Sequence, residues 1–144
     1  MNVLRATMVE MVADADSSKR WWSQWLEVTG PGAVALVPGG RECVPQFQMM
    51  CEAIRSDIQN PEGSGATALR EISQIESGEV ADIEADGNAW VAHITRDKVW
   101  FEGLYSQGDG GEVSFAQYKL AVQTYVRFLA DPEHKPIEVE FPEH

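Results

Sequence analysis

From residue 79 to residue 105 the hydrophobic period of the chain is two, and this limits its possible folds more than any other feature. Ala81, Ile83 and Ala85 alternate with Asp82 and Glu84, and Trp90, Ala92 and Ile94 share one side of the next run. Such alternation places one set of side chains on each face of a half-buried strand. Asp86-Gly87 separates residues 79–85 from residues 88–95 and predicts a type I′ hairpin turn, which needs positive φ at both central residues. Arg96-Asp97 then turns the chain into residues 98–105, rich in β-branched and aromatic side chains. The pattern is that of an antiparallel meander.

Other segments repeat every three or four residues. Phe47, Met50, Cys51, Ile54 and Ile58 predict a helix over 45–59, ended by Asn60-Pro61. Residues 60–66 read as a flexible loop, and Leu69, Ile72 and Ile75 as a short helix ending at Gly78. After a loop at 108–111, Ser114 and Gln117 form a capping box, with Val113 placed to staple onto Tyr118. Phe115, Tyr118, Val122, Tyr125 and Leu129 continue that helix to Asp131-Pro132.

At the start, Leu4, Met8, Met11, Val12 and Ala15 lie at helical spacing, although a strand beginning at Val3 fits too. Asp16-Ser17-Ser18 offers N-cap oxygens for a second helix over 19–28, and residues 33–37 read as a short buried strand. Ile137, Val139 and Phe141 alternate with Glu138 and Glu140 in a last strand. The expected fold is a single α+β domain over residues 1–144, with an antiparallel meander sheet of four to five strands and helices on one face.

Charge narrows the function. The chain carries 23 acidic and 11 basic residues in 144, a formal net charge of −12. Binding to phosphate backbones or to anionic membrane surfaces rests on clustered Lys and Arg, so neither nucleic acid nor membrane is an expected partner. Arg5 and Glu10 interrupt any apolar signal-peptide core, and no run approaches the ~20 apolar residues of a membrane span, so a cytoplasmic location is expected. Two cysteines do not make a disulfide scaffold.

Motifs for chemistry are tested and set aside. Asp82 to Gly87 begins like a calcium loop, but its twelfth position is His93 where a bidentate Glu is required. Cys43 and Cys51 lie eight apart, with His93, His134 and His144 scattered, so zinc-ligand spacing is missing. Cys51 falls on an apolar helix stripe and reads as core, and Cys43 has nothing nearby to mark it as reactive. Neither a nucleophile elbow nor a phosphate loop occurs. No catalytic residue, metal ligand or cofactor is assigned.

Two features point to a partner. In Trp21-Trp22-Ser23-Gln24-Trp25, a helix would put Trp21 and Trp25 on one face and Trp22 about 100° away. Two of the three are expected in the core, with Trp22 either covering a flank or anchoring an interface. The acidic charge also concentrates late: residues 1–72 carry a net −3 and residues 73–144 a net −9. Asp82 and Glu84 share one strand face, Glu138 and Glu140 share another, and Asp86 follows at the turn. If both strands lie in one sheet its outward face is acidic, suited either to solubility or to capturing a basic partner.

The aromatic meander (Trp90, Trp100, Phe101), the aromatic helix from Phe115 to Leu129 and the ending from Arg127 through Ile137-Glu138-Val139-Glu140-Phe141-Pro142 resemble immunity proteins of bacterial polymorphic-toxin and contact-dependent inhibition systems. The resemblance covers residues 79–142. It implies a non-catalytic protein, monomer or weak dimer, that occludes a cognate toxin domain, basic if that toxin is a nuclease. Asp82, Glu84, Asp86, Glu138, Glu140 and Trp22 are then the expected contacts. The alternative is an acidic type III secretion chaperone, which holds an effector segment as a homodimer. A hydrolase or transferase would instead require Cys43, His93 or His134 to gather in a cleft with carboxylates, and a structural subunit is a further possibility.

Overall fold

The computed structural model describes residues 1–12, 19–35, 40–105 and 108–144. Asn2–Val12 (β1) takes the strand alternative of the first segment, and Arg20–Thr29 (β2) is a strand where a helix is expected. Leu4 and Met8, like Trp21 and Trp25, are four residues apart, a spacing that shares a face at either period. Val3, Thr7, Val9, Val28 and Thr29, with the tryptophans, have the β-branched and aromatic character that favours a pleated surface. The two strands pair antiparallel along their whole length, from Val3 opposite Thr29 to Val12 opposite Arg20. Residues 13–18, including the expected cap at Asp16-Ser17-Ser18, lie outside the described residues.

Val34–Ala35 (β3) and Glu42–Cys43 (β4) form a minimal ladder. Val34 and Ala35 are exposed, not buried, because two residues paired to a two-residue strand have no sheet to cover them; positions 36 and 37 of the expected strand are not described. A 3₁₀ turn at Pro45–Phe47 leads into α1 (Gln48–Asp57), and the stripe of Phe47, Met50, Cys51, Ile54 and Ile58 is buried as its periodicity requires. The next helix, α2 (Ser64–Glu76), starts inside the expected 60–66 loop. Ser64 Oγ accepts from the Gln59 N–H at 2.8 Å and Asn60 Oδ1 accepts from Gly63 N–H, so side chains satisfy the turn that precedes it.

The meander consists of Asp82–Asp86 (β5), Trp90–Thr95 (β6), Val99–Gly103 (β7) and Asp109–Val113 (β8), an antiparallel sheet in that order. The fourth strand replaces the expected 108–111 loop. Gly108, Gly110 and Gly111 have positive φ, and the β7–β8 register shifts between Val99 and Phe101, so the glycines serve an irregular strand. Residues 115–130 form α3 (Phe115–Ala130), with the capping box at Ser114 and Gln117 complete. Gln117 is buried, and its Nε2 donates to the Pro142 carbonyl at 2.9 Å, tying the helix start to the end of Ile137–Phe141 (β9).

The molecule is α+β, with antiparallel sheets. It does not place the two acidic strands together, however: β9 pairs with β1 in a separate three-stranded sheet, β2-β1-β9. Leu4, Ala6, Leu26, Val28 and Phe141 from that sheet and Trp90, Ala92, Ile94, Val99 and Phe101 from the meander belong to one hydrophobic core with residues of all three helices. Phe47 meets Phe141 edge-on at 5.0 Å, and Tyr118 of α3 approaches Phe101 at 6.0 Å. No described helix is long and apolar enough to cross a membrane.

Candidate functional site

The outward face of the meander carries the acidic residues read from the sequence. Asp82, Glu84 and Asp86 are exposed while Ile83 and Ala85 are partly buried, so the alternation of β5 is real. Because β5 is an edge strand of its sheet, the three carboxylates stand together at one margin. The cross-strand neighbour of Glu84 is His93, which lies 3.8 Å from Glu84, hydrogen-bonds Glu102 at 3.1 Å and stacks on Trp100 with rings 5.0 Å apart. Lys98 Nζ sits 5.2 Å from the Trp100 ring centre and 3.4 Å from Glu112.

Glu138 and Glu140 are exposed on β9, in the other sheet. Glu138 accepts a 3.5 Å hydrogen bond from Arg5, so part of its charge is compensated. Trp22 is 65% exposed and Trp21 49%, on the end of β2 that faces Glu10, Met11 and Val12. Neither packs in the core. Of these three tryptophans Trp25 alone is sheltered, beneath the Arg55 guanidinium at 3.7 Å. Along β1, Trp22 is opposite Glu10 and Glu138 opposite Arg5, five residues or about 17 Å apart. The structure therefore groups Asp82, Glu84 and Asp86 and leaves Glu138, Glu140 and Trp22 elsewhere.

The Asp86-Gly87 turn differs from the expected two-residue form. Gly87 N–H donates to the Trp90 carbonyl at 2.8 Å, and Gly87 is not among the positive-φ residues. Glycine is needed here for space: a Cβ at 87 would fall within the carboxyl group of Asp57. Asp57, at the end of α1, accepts the Ala89 N–H at 3.0 Å and holds the turn from below. The sequence gives no spacing rule for this contact.

Two of the cavities beside these elements are lined by Glu27 and by Asp57 with Glu71, respectively. The larger, about 630 Å³, lies under β2, and Glu27, Arg41, Cys43, Cys51 and Arg55 line it. Glu27 is 2% exposed. Arg41 donates to both its oxygens, at 2.6 and 3.0 Å, and Arg5 donates at 2.6 Å. Burial pushes the Glu27 carboxyl up, but the hydrogen bonds from Arg41 and Arg5 outweigh it and hold the group below its ordinary value. In the same cavity a hydrogen bond from Cys51 brings the Cys43 thiol down to about 7, while that bond and burial push Cys51 up. An interacting thiol pair was not legible from a spacing of eight.

The smaller cavity, about 270 Å³, lies between α1, α2, α3 and the first two meander strands. Asp57, Glu71, Asp86 and Tyr118 are its ionisable lining, and among the described residues no lysine, arginine or histidine lines it. Burial raises the Asp57 carboxyl against the backbone N–H groups of Ala89, Asn88 and Trp90, and raises Glu71 against the more distant Arg70. Tyr118 is pushed well up by burial and by the charges of Glu71 and Asp57.

The residues of the hydrolase alternative are dispersed: Cys43 lines the larger cavity, His93 lies on the meander's outer face, and His134 packs against Phe128 at 5.3 Å. Among the described residues no three metal-binding side chains converge. Comparison of the chain with family models, with curated proteins and with solved structures yields no match.

Proposed function

We propose that the protein binds and neutralises a basic protein domain, as an immunity protein does its cognate toxin, with the outer margin of the meander as the capturing surface. The observation that carries this reading is the row of exposed carboxylates Asp82, Glu84 and Asp86 on an edge strand that has no basic residue of its own. Carboxylates on one strand repel mildly, and a cationic surface relieves that repulsion while accelerating encounter. Trp21 and Trp22, exposed at the end of β2, supply a second contact of the aromatic kind that dominates interface energetics. Glu138 and Glu140 belong to the three-stranded sheet and would add long-range field.

The test is capture from extract of the source cells by the tagged protein and by its Asp82→Lys/Glu84→Lys/Asp86→Lys variant, followed by association rates across a salt series. A folded, basic domain bound one-to-one is expected, with an on-rate that falls steeply with salt and by at least tenfold in the variant. An unfolded effector segment bound to a homodimer would replace this reading with a secretion chaperone. An on-rate equal in both proteins at low salt would remove the acidic strand from the mechanism.

A further inference from the structure

The smaller cavity has a polarity that the fold does not need. Most buried or half-buried carboxylates find a cation or a set of N–H donors, since leaving them unpaired costs free energy. Asp57 has such donors in the turn above it. Glu71 is half-buried and makes no hydrogen bond or ion pair with any described residue, and the charge that partly offsets its burial is that of the exposed Arg70. Tyr118 lines the cavity and is only 5% exposed; its phenol lies within the field of the Glu71 and Asp57 carboxylates, and its hydroxyl has no hydrogen-bond partner among the described residues. Asp86 belongs to the lining but is exposed on the outward face of β5, and most of the remaining lining is apolar, Ile54, Ala68 and Ala92 included. Three acids, one unpartnered phenol, no base and a greasy wall describe a complement to a cation with an aliphatic stem.

We propose that this cavity is a binding site for a primary alkylammonium group, with the Glu71 carboxylate and the Tyr118 hydroxyl as its hydrogen-bond acceptors, Asp57 adding field, and Ile54 and Ala68 packing the stem. An ammonium is a compact donor of three hydrogen bonds, whereas a guanidinium is a wider planar fork that fits two parallel acceptors. The volume suits one small amine or one lysyl side chain; it lies just below the range of ordinary ligand pockets. This inference does not rest on the acidic margin as a capture surface, and it stands if that reading fails.

Four probes test it by calorimetry and by NMR shifts of the Phe101 and Tyr118 rings in the intact chain: n-butylammonium, its neutral isostere n-butanol, n-butylguanidinium, and lysine capped at both backbone ends. Butylammonium is expected to bind at least tenfold more tightly than butanol and more tightly than butylguanidinium. Glu71→Gln should lose that advantage at least tenfold and Tyr118→Phe about threefold, with Glu143→Gln within twofold of the unmodified chain. Capped lysine binding as tightly as butylammonium identifies a protein-borne ammonium as the occupant; its exclusion identifies a free amine. Equal binding of butanol and butylammonium to the unmodified chain would overturn the proposal without reliance on any variant. So would tighter binding of butylguanidinium, or undiminished binding by a folded Glu71→Gln protein.

Discussion

Glu27 and the pair Asp57 and Glu71 are carboxylates taken out of bulk water within one small domain, yet they respond in opposite directions. Glu27 is the most buried of the three and is held below its ordinary value, because Arg5 and Arg41 together use both of its oxygens. Asp57 and Glu71 are less buried, yet burial pushes them up, since no described cation lines their cavity to outweigh it. Depth of burial therefore does not decide the outcome; the supply of compensating charge does. The Glu27 cluster ties β1, β2 and the Arg41 segment together, and both oxygens of its carboxylate are paired. The Glu71 side lacks a cation, and that deficit separates a structural knot from a binding site.

The largest test of this contrast is Glu27→Ala. It strands the Arg41 guanidinium and leaves Arg5, whose buried Nε already lacks an acceptor, only its 3.5 Å hydrogen bond to Glu138. A loss of about 3 kcal/mol in urea unfolding is expected, the low end for breaking a buried pair, since both arginines keep about a third of the side chain exposed. A loss under about 1 kcal/mol would show that the cluster is not structural. Gly87→Ala tests the other side. Its new Cβ must displace the Asp57 carboxyl and so break the clamp on the β5–β6 turn, for which about 2 kcal/mol is expected. Glu71→Gln, by contrast, should leave stability unchanged or raise it by less than about 1 kcal/mol, because nothing in the fold depends on its charge.

What the sequence made legible follows the same division. The meander, the α1 stripe and the capped α3 each satisfy local and tertiary demands at once, so periodicity finds them. The β1–β2 hairpin was hidden because Leu4/Met8 and Trp21/Trp25 obey both periods, and only the β-branched residues between them pointed to strands. The acidic alternation of β5 was readable, but whether β9 joined the same sheet depended on pairing with β1, a contact that spans almost the whole chain. Asp57, Glu71 and Tyr118 come from three helices, and no spacing motif links them. A faint signal existed: Glu71 lies on the stripe of Ala68, Ile72 and Ile75, where a helix normally buries no carboxylate.

The pH dependence of stability sharpens the comparison at smaller scale. Glu27, lowered on folding, contributes stability that is complete above its ordinary value of 4.5 and is lost as pH falls through its folded-state value. Asp57 and Glu71, raised on folding, act in reverse: the folded chain holds their protons more tightly than the unfolded chain. Their penalty is present at neutral pH and lifts as pH falls through their raised values toward 3.8 and 4.5. Urea midpoints should therefore rise by about 0.5 kcal/mol in free energy on mild acidification before falling in stronger acid. Glu71→Gln should flatten the rise, and a monotonic decline in the unmodified chain would contradict it.

The smallest effect leaves the fold untouched. Cys43 shares the cavity of the Glu27 cluster, and its thiol is brought to about 7 chiefly by the hydrogen bond from Cys51, with Arg55 assisting and the Glu27 charge opposing. Iodoacetamide should therefore give a single adduct, on Cys43, with a rate midpoint near pH 7. Cys51 should stay unmodified, since burial and the same hydrogen bond hold its proton. Cys51→Ala removes the donor, so the Cys43 midpoint should climb toward the ~8.5 of an ordinary thiol. Glu27→Gln removes the opposing charge and should move the midpoint down. A midpoint indifferent to both changes would mean that the cluster's charge does not reach the thiol, and the larger cavity would then be two independent sites rather than one.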